Sequence, residues 1–127
     1  MNCRWSVSIA LAVLVSAFAL TAAHAPAKPQ SLEEYLYGKW RQEYGPYITE
    51  TVLNTNLTFT SLTVQRGAPY RLYVEGTWKV KYQNQLWMYW VNWEPHTIKR
   101  PLPEGTTVEV IDRNHFRNKL GVVTRIG

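Results

Sequence analysis

The clearest pair of reactive side chains in the sequence is Glu94 and His96. A Glu-x-His pair could transfer a proton or supply two ligands to a metal ion. Two ligands are too few for a stable metal site, and His115 is the only other histidine after residue 25. Lys99 and Arg100 follow closely and could attract a carboxylate or phosphate head group. We therefore predict no metal site. We assign His96 and Arg100 to the ligand site, as loop residues that control access of the ligand.

Other catalytic groups are sparse. The single cysteine, Cys3, precedes the apolar run Val7–Leu20, and Asp112 is the only aspartate. The sequence contains no G-x-S-x-G, H-E-x-x-H or G-x-x-x-x-G-K-[ST] pattern. The glutamates are spread along the chain, and no pair of them points to glycoside hydrolysis. The sequence therefore favours a protein that is not an enzyme and has no cofactor.

Aromatic side chains supply most of the binding chemistry. Trp, Tyr and Phe make up 13% of the chain, and they are densest in Leu86–Trp93 (LWMYWVNW). Strict alternation would separate this run into two faces, Leu86, Met88, Trp90 and Asn92 on one and Trp87, Tyr89, Val91 and Trp93 on the other. One face must be core. The second is a ligand-binding wall, a partner-binding patch, or a surface covered by other parts of the chain.

We assign the ligand site to the aromatic residues of this run and to one tyrosine of the preceding strand. These residues are Tyr73, Trp87, Tyr89, Trp90 and Trp93.

The N-terminal segment is typical of a secretory signal peptide. Arg4 precedes the apolar run, and small residues surround Ala25. An uncleaved membrane anchor is the alternative, although the run is near the short end for a membrane span. Cleavage near Ala25 would leave about 102 of the 127 residues and would remove Cys3. We expect residues 1–25 to be the signal peptide and the mature protein to be periplasmic or secreted.

The positive charge of the chain is mild and scattered. The formal net charge is +5 before cleavage, and the lysines and arginines form no dense run. An exported protein with this pattern is not expected to bind nucleic acid. Peripheral attraction to a membrane surface is the most that the charge suggests.

The remaining elements are predicted from capping and alternation. Ser31 is a helix N-cap, and Gly38 ends the short helix, so residues 26–37 read as a linker and a helical turn. Residues 38–127 then predict about seven strands, among them Tyr70–Lys81 and Thr106–Asp112. No segment could form a crossover helix, so the sheet must be antiparallel.

Gly38-Lys39-Trp40, beside the helical turn, resembles the G-x-W signature of lipocalin-like β-barrels. The segment Asn54–Phe59, followed by Gly76-Thr77-Trp78 and a strand that opens at Leu86, is similar to small bacterial secreted lipocalin-like domains. The resemblance covers about residues 38–126.

This resemblance implies an all-β, antiparallel barrel. It also implies that Trp40 packs against Arg125 of the last strand, as a cation–π contact at the base of the barrel. The residues that it implies to be structural are Gly38, Trp40, Gly76, Trp78 and Arg125. The domain is shorter than a typical lipocalin, so we expect a short or incomplete barrel whose cavity is small or filled.

Two functions follow from these observations. The first is an exported, non-catalytic binding protein for a small hydrophobic or amphipathic ligand, with a site lined by Leu86–Trp93 and Tyr70–Val80. The second is a protein-interaction module of the cell envelope, an inhibitor or an assembly accessory, which contacts its partner through Glu94–Gly105. An open, lined cavity would favour the first function, and a filled barrel would favour the second.

Overall fold

The computed structural model describes residues 30–127, so the predicted signal peptide and residues 26–29 of the linker lie outside the described residues. The described chain contains one short helix and nine strands. These elements are α1 (Leu32–Leu36), β1 (Gly38–Tyr44), β2 (Tyr47–Leu53), β3 (Thr58–Gln65), β4 (Arg71–Lys81), β5 (Gln85–Glu94), β6 (Gly105–Thr107), β7 (Glu109–Asp112), β8 (His115–Asn118) and β9 (Gly121–Arg125). Between residues 30 and 127, no helix has the length and apolarity needed to cross a bilayer.

The nine strands form one antiparallel sheet in the order β6-β5-β4-β3-β2-β1-β9-β8-β7. Its two outermost strands, β6 and β7, are consecutive in the chain and are separated only by Val108. Strands lie about 4.8 Å apart, so the edges of a flat sheet of this size would be roughly 38 Å apart. One residue cannot span that distance, and the sheet curls into a nearly closed barrel. The predicted all-β barrel with one short helix is confirmed, and it is consistent with a lipocalin-like barrel.

The prediction that Thr106–Asp112 forms a single strand is wrong. Thr107 ends the pairing with β5, and Glu109 begins the pairing with β8. Val108 lies between them, is 6% exposed, and donates its backbone N–H to the carbonyl of Asn84 at 2.8 Å. Thr106–Asp112 has the sequence pattern of one extended strand although its first part pairs with β5 and its last part with β8. Alternation of side chains therefore could not reveal that it forms two strands. This division adds a strand, and the sheet has nine strands rather than about seven.

The core is concentrated at one end of the barrel, under α1. Ser31 caps the helix by accepting a hydrogen bond from the backbone N–H of Glu34 at 3.1 Å, and Leu36 is fully buried. The Tyr35 hydroxyl lies 2.7 Å from the carbonyl of Asp112 and fastens the helix to the end of β7. The buried residues are Tyr35, Leu36, Trp40, Leu53, Phe59, Val74, Trp78, Val108, Phe116 and Val123.

Arg125 and Trp40 form the contact that the resemblance implied. The guanidinium carbon of Arg125 lies 4.2 Å from the centre of the Trp40 ring. The same guanidinium donates hydrogen bonds to the carbonyls of Tyr37 and Tyr35, at 2.8 and 2.7 Å. The Trp40 indole donates to the carbonyl of Leu36 at 2.8 Å. Together they satisfy three carbonyls at the end of a helix that is too short to satisfy them itself.

A β-bulge between β4 and β5 changes the faces predicted for the aromatic run. Glu75 pairs with Asn92 and Gly76 pairs with Trp90, so Val91 is an extra residue on β5. Gly76 is required here, because a Cβ at this position would overlap the carbonyl oxygen of Tyr89.

Beyond the bulge, Trp93 pairs with the inward-facing Val74 and packs against the core. The prediction that Trp93 shares a face with Trp87 and Tyr89 is therefore wrong, since an inserted residue reverses the alternation.

Replacing Arg125 should test the importance of the closed end. We expect Arg125→Met to lower the free energy of unfolding by about 3 kcal/mol, because buried carbonyls lose charge-assisted hydrogen bonds. The control is Arg117→Met on β8, whose exposed side chain lies 3.7 Å from Glu109. That change should cost less than about 1 kcal/mol. Urea unfolding followed by Trp fluorescence measures both variants, and equal losses would contradict this account of the closed end.

Candidate functional site

The barrel contains a partly open cavity of about 340 Å³ that is lined in part by residues of the buried core. This volume lies at the lower end of the range for small-molecule sites, which is about 300–1,000 Å³. Seven strands contribute to its lining. The lining residues are Trp40, Gln42, Tyr44, Thr49, Thr51, Leu53, Phe59, Ser61, Thr63, Leu72, Val74, Leu86, Met88, Trp90, Phe116, Asn118, Leu120 and Val123.

One wall of the cavity is apolar and is built by β4 and β5. Leu72 and Val74 face inward from β4, and Leu86, Met88 and Trp90 face inward from β5. The Trp90 ring lies 6.1 Å from the Trp93 ring, centre to centre. Side chains two residues apart on a strand point to the same face, so these residues of the paired strands β4 and β5 form one continuous wall.

The opposite wall is polar and is built by β1, β2 and β3. The hydroxyls of Thr49 and Thr63 lie 2.8 Å apart, and Thr51 donates a hydrogen bond to Ser61 at 3.3 Å. Gln42, at the edge of this wall, donates to the side-chain oxygen of Asn118 on β8 at 2.8 Å. We call Gln42, Thr49, Thr51, Ser61 and Thr63 the polar strip. The cavity thus has a hydrocarbon side on β4 and β5, and a side on β1–β3 where the polar strip lies next to the apolar Trp40, Leu53 and Phe59.

A second pocket of about 480 Å³ adjoins this cavity and shares five lining residues with it, and we call the two pockets the first and second lobes. β6 pairs only with Gln85–Trp87 of β5, so no part of β6 lies beside the rest of β5. The lobe extends past the end of β6 to the Pro-rich segment, where Leu102 is 89% exposed. The residues that line both volumes are Leu86, Met88, Trp90, Phe116 and Asn118.

The Pro-rich segment, residues 95–104, borders the second lobe and is held near both ends. The Trp93 indole donates a hydrogen bond to the carbonyl of Ile98 at 2.7 Å. At the other end, Lys119, which lies in the turn between β8 and β9, donates a hydrogen bond to the Glu104 carboxylate at 2.7 Å. This hydrogen bond and the positive charge of Lys119 lower the pKa of Glu104.

The structure brings part of the predicted ligand site to the cavity. Trp90 lines both lobes, and Trp93 anchors the Pro-rich segment next to them. His96 and Arg100 lie on that segment and are exposed, and the His96 ring is 5.6 Å from the Trp93 ring. Neither side chain lines the two lobes, and the segment contributes Pro101, Leu102 and Glu104 instead.

The other predicted ligand residues lie outside the barrel. Trp87 and Tyr89 stack with ring centres 6.3 Å apart on the outer face of β5. The ammonium group of Lys81 lies 4.1 Å from the Trp87 ring, and that of Lys79 lies 5.5 Å from the Tyr89 ring. These rings are therefore covered by lysine side chains from the neighbouring strand.

Tyr73 is also on the outer face and does not line the cavity. Its hydroxyl donates a hydrogen bond to Glu75 at 2.9 Å, which raises the pKa of Tyr73.

Sequence reasoning missed the polar strip. Its signal is an alternation in which Thr49, Thr51 and Leu53 share one face of β2, while Phe59, Ser61 and Thr63 share one face of β3. Ile48 and Val64 pair on the opposite, outer face. Apolar residues occur on both faces of these strands, so a hydrophobic pattern alone could not choose the inner one.

Within residues 30–127, no three His, Cys, Asp or Glu side chains lie close enough together to hold a metal ion. No protein-family model matches the chain. A search of curated proteins likewise finds no match.

The bond between Glu104 and Lys119 should restrain the Pro-rich segment. We expect Glu104→Gln to speed hydrogen exchange of residues 95–104 by about threefold at pH 7, since exposed ion pairs are weak. The lowered pKa of Glu104 means that the carboxylate is charged at pH 7 and that its stabilising contact is lost as the pH falls through that pKa. The difference between the two proteins should therefore shrink as the pH falls below the usual range of a glutamate carboxyl group.

A matched control is Glu109→Gln, because Glu109 pairs with Arg117 at 3.7 Å away from this segment. Exchange rates corrected for their intrinsic pH dependence measure the effect. Equal protection of residues 95–104 in Glu104→Gln and the unmodified protein at pH 7 would contradict the restraint.

Proposed function

We propose that this protein is a non-catalytic binding protein for a small amphipathic molecule. The observation that carries the proposal is the cavity of about 340 Å³ inside the barrel, with its apolar wall on β4 and β5 and its polar strip on β1–β3. Ligand sites of this kind are mostly apolar and contain a few placed polar groups.

An unfilled apolar wall lowers stability, because its side chains lose packing contacts. Leu72, Met88 and Trp90 all face the cavity and are only partly buried. A ligand of matching shape would restore contacts to these side chains. Binding would thus add stability that the chain alone lacks.

The absence of charge in the lining supports binding without chemistry. Every residue that lines the first cavity is neutral, and its polar groups are hydroxyls and amides. General acid–base catalysis needs a group that exchanges a proton near neutral pH. The nearby histidine, His96, is exposed on the Pro-rich segment and does not line the cavity.

The alternative function is a protein-interaction module of the cell envelope. A barrel filled by its own side chains would favour this alternative. The cavity supports ligand binding over this alternative. The segment Glu94–Gly105 also borders the second lobe and is tied to the barrel through Trp93 and Glu104. If the segment covers a bound ligand, the hydrogen bonds that hold it to the barrel have a clear purpose.

The site can be tested by filling it. The neutral fluorescent probe N-phenylnaphthylamine should bind the purified protein at one site. Met88→Trp should weaken this binding at least tenfold, because the larger ring occupies space that both lobes share. The control is Val91→Trp on the same strand, since Val91 is 67% exposed at the bulge. Probe titration and thermal unfolding measure both variants. No probe binding to the unmodified protein, or equal binding by both variants, would contradict the proposal.

Export is part of the same proposal and rests on the N-terminal sequence. The apolar run Val7–Leu20 and the small residues near Ala25 support a cleaved signal peptide. Mass spectrometry of the mature protein from a periplasmic fraction should then find an N-terminus close to residue 26. A full-length chain that starts at Met1 in the cytoplasm would contradict this part of the proposal.

A further inference from the structure

The polar strip is a regular array rather than a scatter of polar residues. Thr49 pairs directly with Thr63 across β2 and β3, and Thr51 pairs directly with Ser61. Gln42 on β1 is opposite Thr49, so one row of the array crosses three strands. The second row begins two residues further along each strand, or about 7 Å away. The array therefore presents hydrogen-bonding groups along one side of the cavity instead of at a single point.

The array retains hydrogen-bonding capacity. The hydroxyls of Tyr44, Thr49 and Thr63 form a chain with two contacts, at 3.3 and 2.8 Å. Three hydroxyls carry three protons, so at least one proton is not used within this chain. Thr51 donates to Ser61, and the Ser61 proton is likewise not used in that pair. Each hydroxyl also keeps acceptor lone pairs, so the strip can both donate to and accept from a ligand.

The first lobe has no residue in its lining, among those that the structure describes, that could neutralise a charged ligand. All of the residues that line the first lobe are uncharged. The charged residue that lines the second lobe is Glu104, a carboxylate whose lowered pKa keeps it ionised at neutral pH. Glu104 is already paired with Lys119, so a carboxylate buried in the first lobe would lose its hydration without gaining a partner. Lys99 and Arg100 are exposed on the Pro-rich segment and line neither lobe.

We infer that the ligand is an uncharged molecule with hydroxyl or ester groups along one side and hydrocarbon along the other. Its polar side lies against the polar strip, and its hydrocarbon side lies against Met88 and Trp90. A monoacylglycerol has this chemistry, and a fatty-acid anion does not. This inference rests on the proposed function, because it names the class of ligand for the same cavity.

Three chain-matched compounds test the inference: glycerol monodecanoate, decanol and decanoate. Isothermal titration calorimetry at pH 7 measures their affinities for the purified protein. We expect the glyceride to bind at least tenfold more tightly than decanoate, and decanol to bind between the two. The series keeps the hydrocarbon constant, so the differences report the polar group alone.

Paired substitutions test the strip itself. Thr49→Val with Thr63→Val removes two hydroxyls and preserves the shape and the β-propensity of the side chains. This double variant should bind the glyceride at least fivefold more weakly and N-phenylnaphthylamine with unchanged affinity. The control is Thr60→Val on the same strand, because Thr60 faces outward between Phe59 and Ser61. If the double variant fails to fold, Ser61→Ala should show the same selective loss.

The outcomes separate this inference from the proposed function. Tight binding of decanoate, an unchanged glyceride affinity in the strip variants, or no binding of any compound in the series would each overturn the inference. In all three cases the proposed function would stand if N-phenylnaphthylamine still bound the unmodified protein and not Met88→Trp. If neither N-phenylnaphthylamine nor any of the three compounds bound, both the inference and the proposed function would be contradicted.

Discussion

The contact between Arg125 and Trp40 holds together the parts of the chain that close the barrel. It joins the last strand to the first and ties both to the helix, since the Arg125 guanidinium donates to the carbonyls of Tyr35 and Tyr37. The guanidinium is planar and has five donors, so it can stack on the ring and satisfy several carbonyls at once. A lysine at position 125 would supply a positive charge, but its ammonium group could not stack on the Trp40 ring and bind several carbonyls at the same time. The helix, which has only five residues, depends on this anchoring for its order.

A closed end with a dense core permits a hollow region beside it. Trp40, Trp78 and Phe59 are almost completely buried, and they supply packing that the cavity does not. The polar strip adds little cost, because one hydrogen bond joins Thr49 to Thr63 and another joins Thr51 to Ser61. No buried side-chain nitrogen or oxygen of residues 30–127 lacks a hydrogen-bond partner. The core and the cavity therefore share residues, since Trp40 and Phe59 are buried in the core and also line the cavity.

Local patterns in the sequence predict the helix and the antiparallel sheet, and the resemblance implies the Trp40–Arg125 contact. They succeeded because capping, alternation and the G-x-W motif depend on nearby residues or on a resemblance that covers the domain. They failed where long-range pairing decides the outcome. Val108 divides one predicted strand between two sheet edges, and the extra residue at Val91 brings Trp93 to the inner face.

The candidate site is harder to predict than the fold, because aromatic residues of a strand can face either the cavity or the outer surface. Trp90 does line the cavity, but Trp87 and Tyr89 are on the outer face under two lysines. The polar strip carries small hydroxyl residues that are common in any strand. Only the register of β1, β2 and β3 shows that these residues face one enclosed space.

The prolines after β5 explain why the cavity extends to the second lobe. Pro95, Pro101 and Pro103 cannot donate backbone hydrogen bonds, so this segment cannot continue β6 as a regular partner of β5. β6 is therefore limited to three residues, opposite Gln85–Trp87. A longer β6 would extend the paired sheet along β5 beside Met88 and Trp90, where the second lobe now lies. The segment instead borders the second lobe, where the Trp93 indole and Lys119 hold it by hydrogen bonds to Ile98 and Glu104.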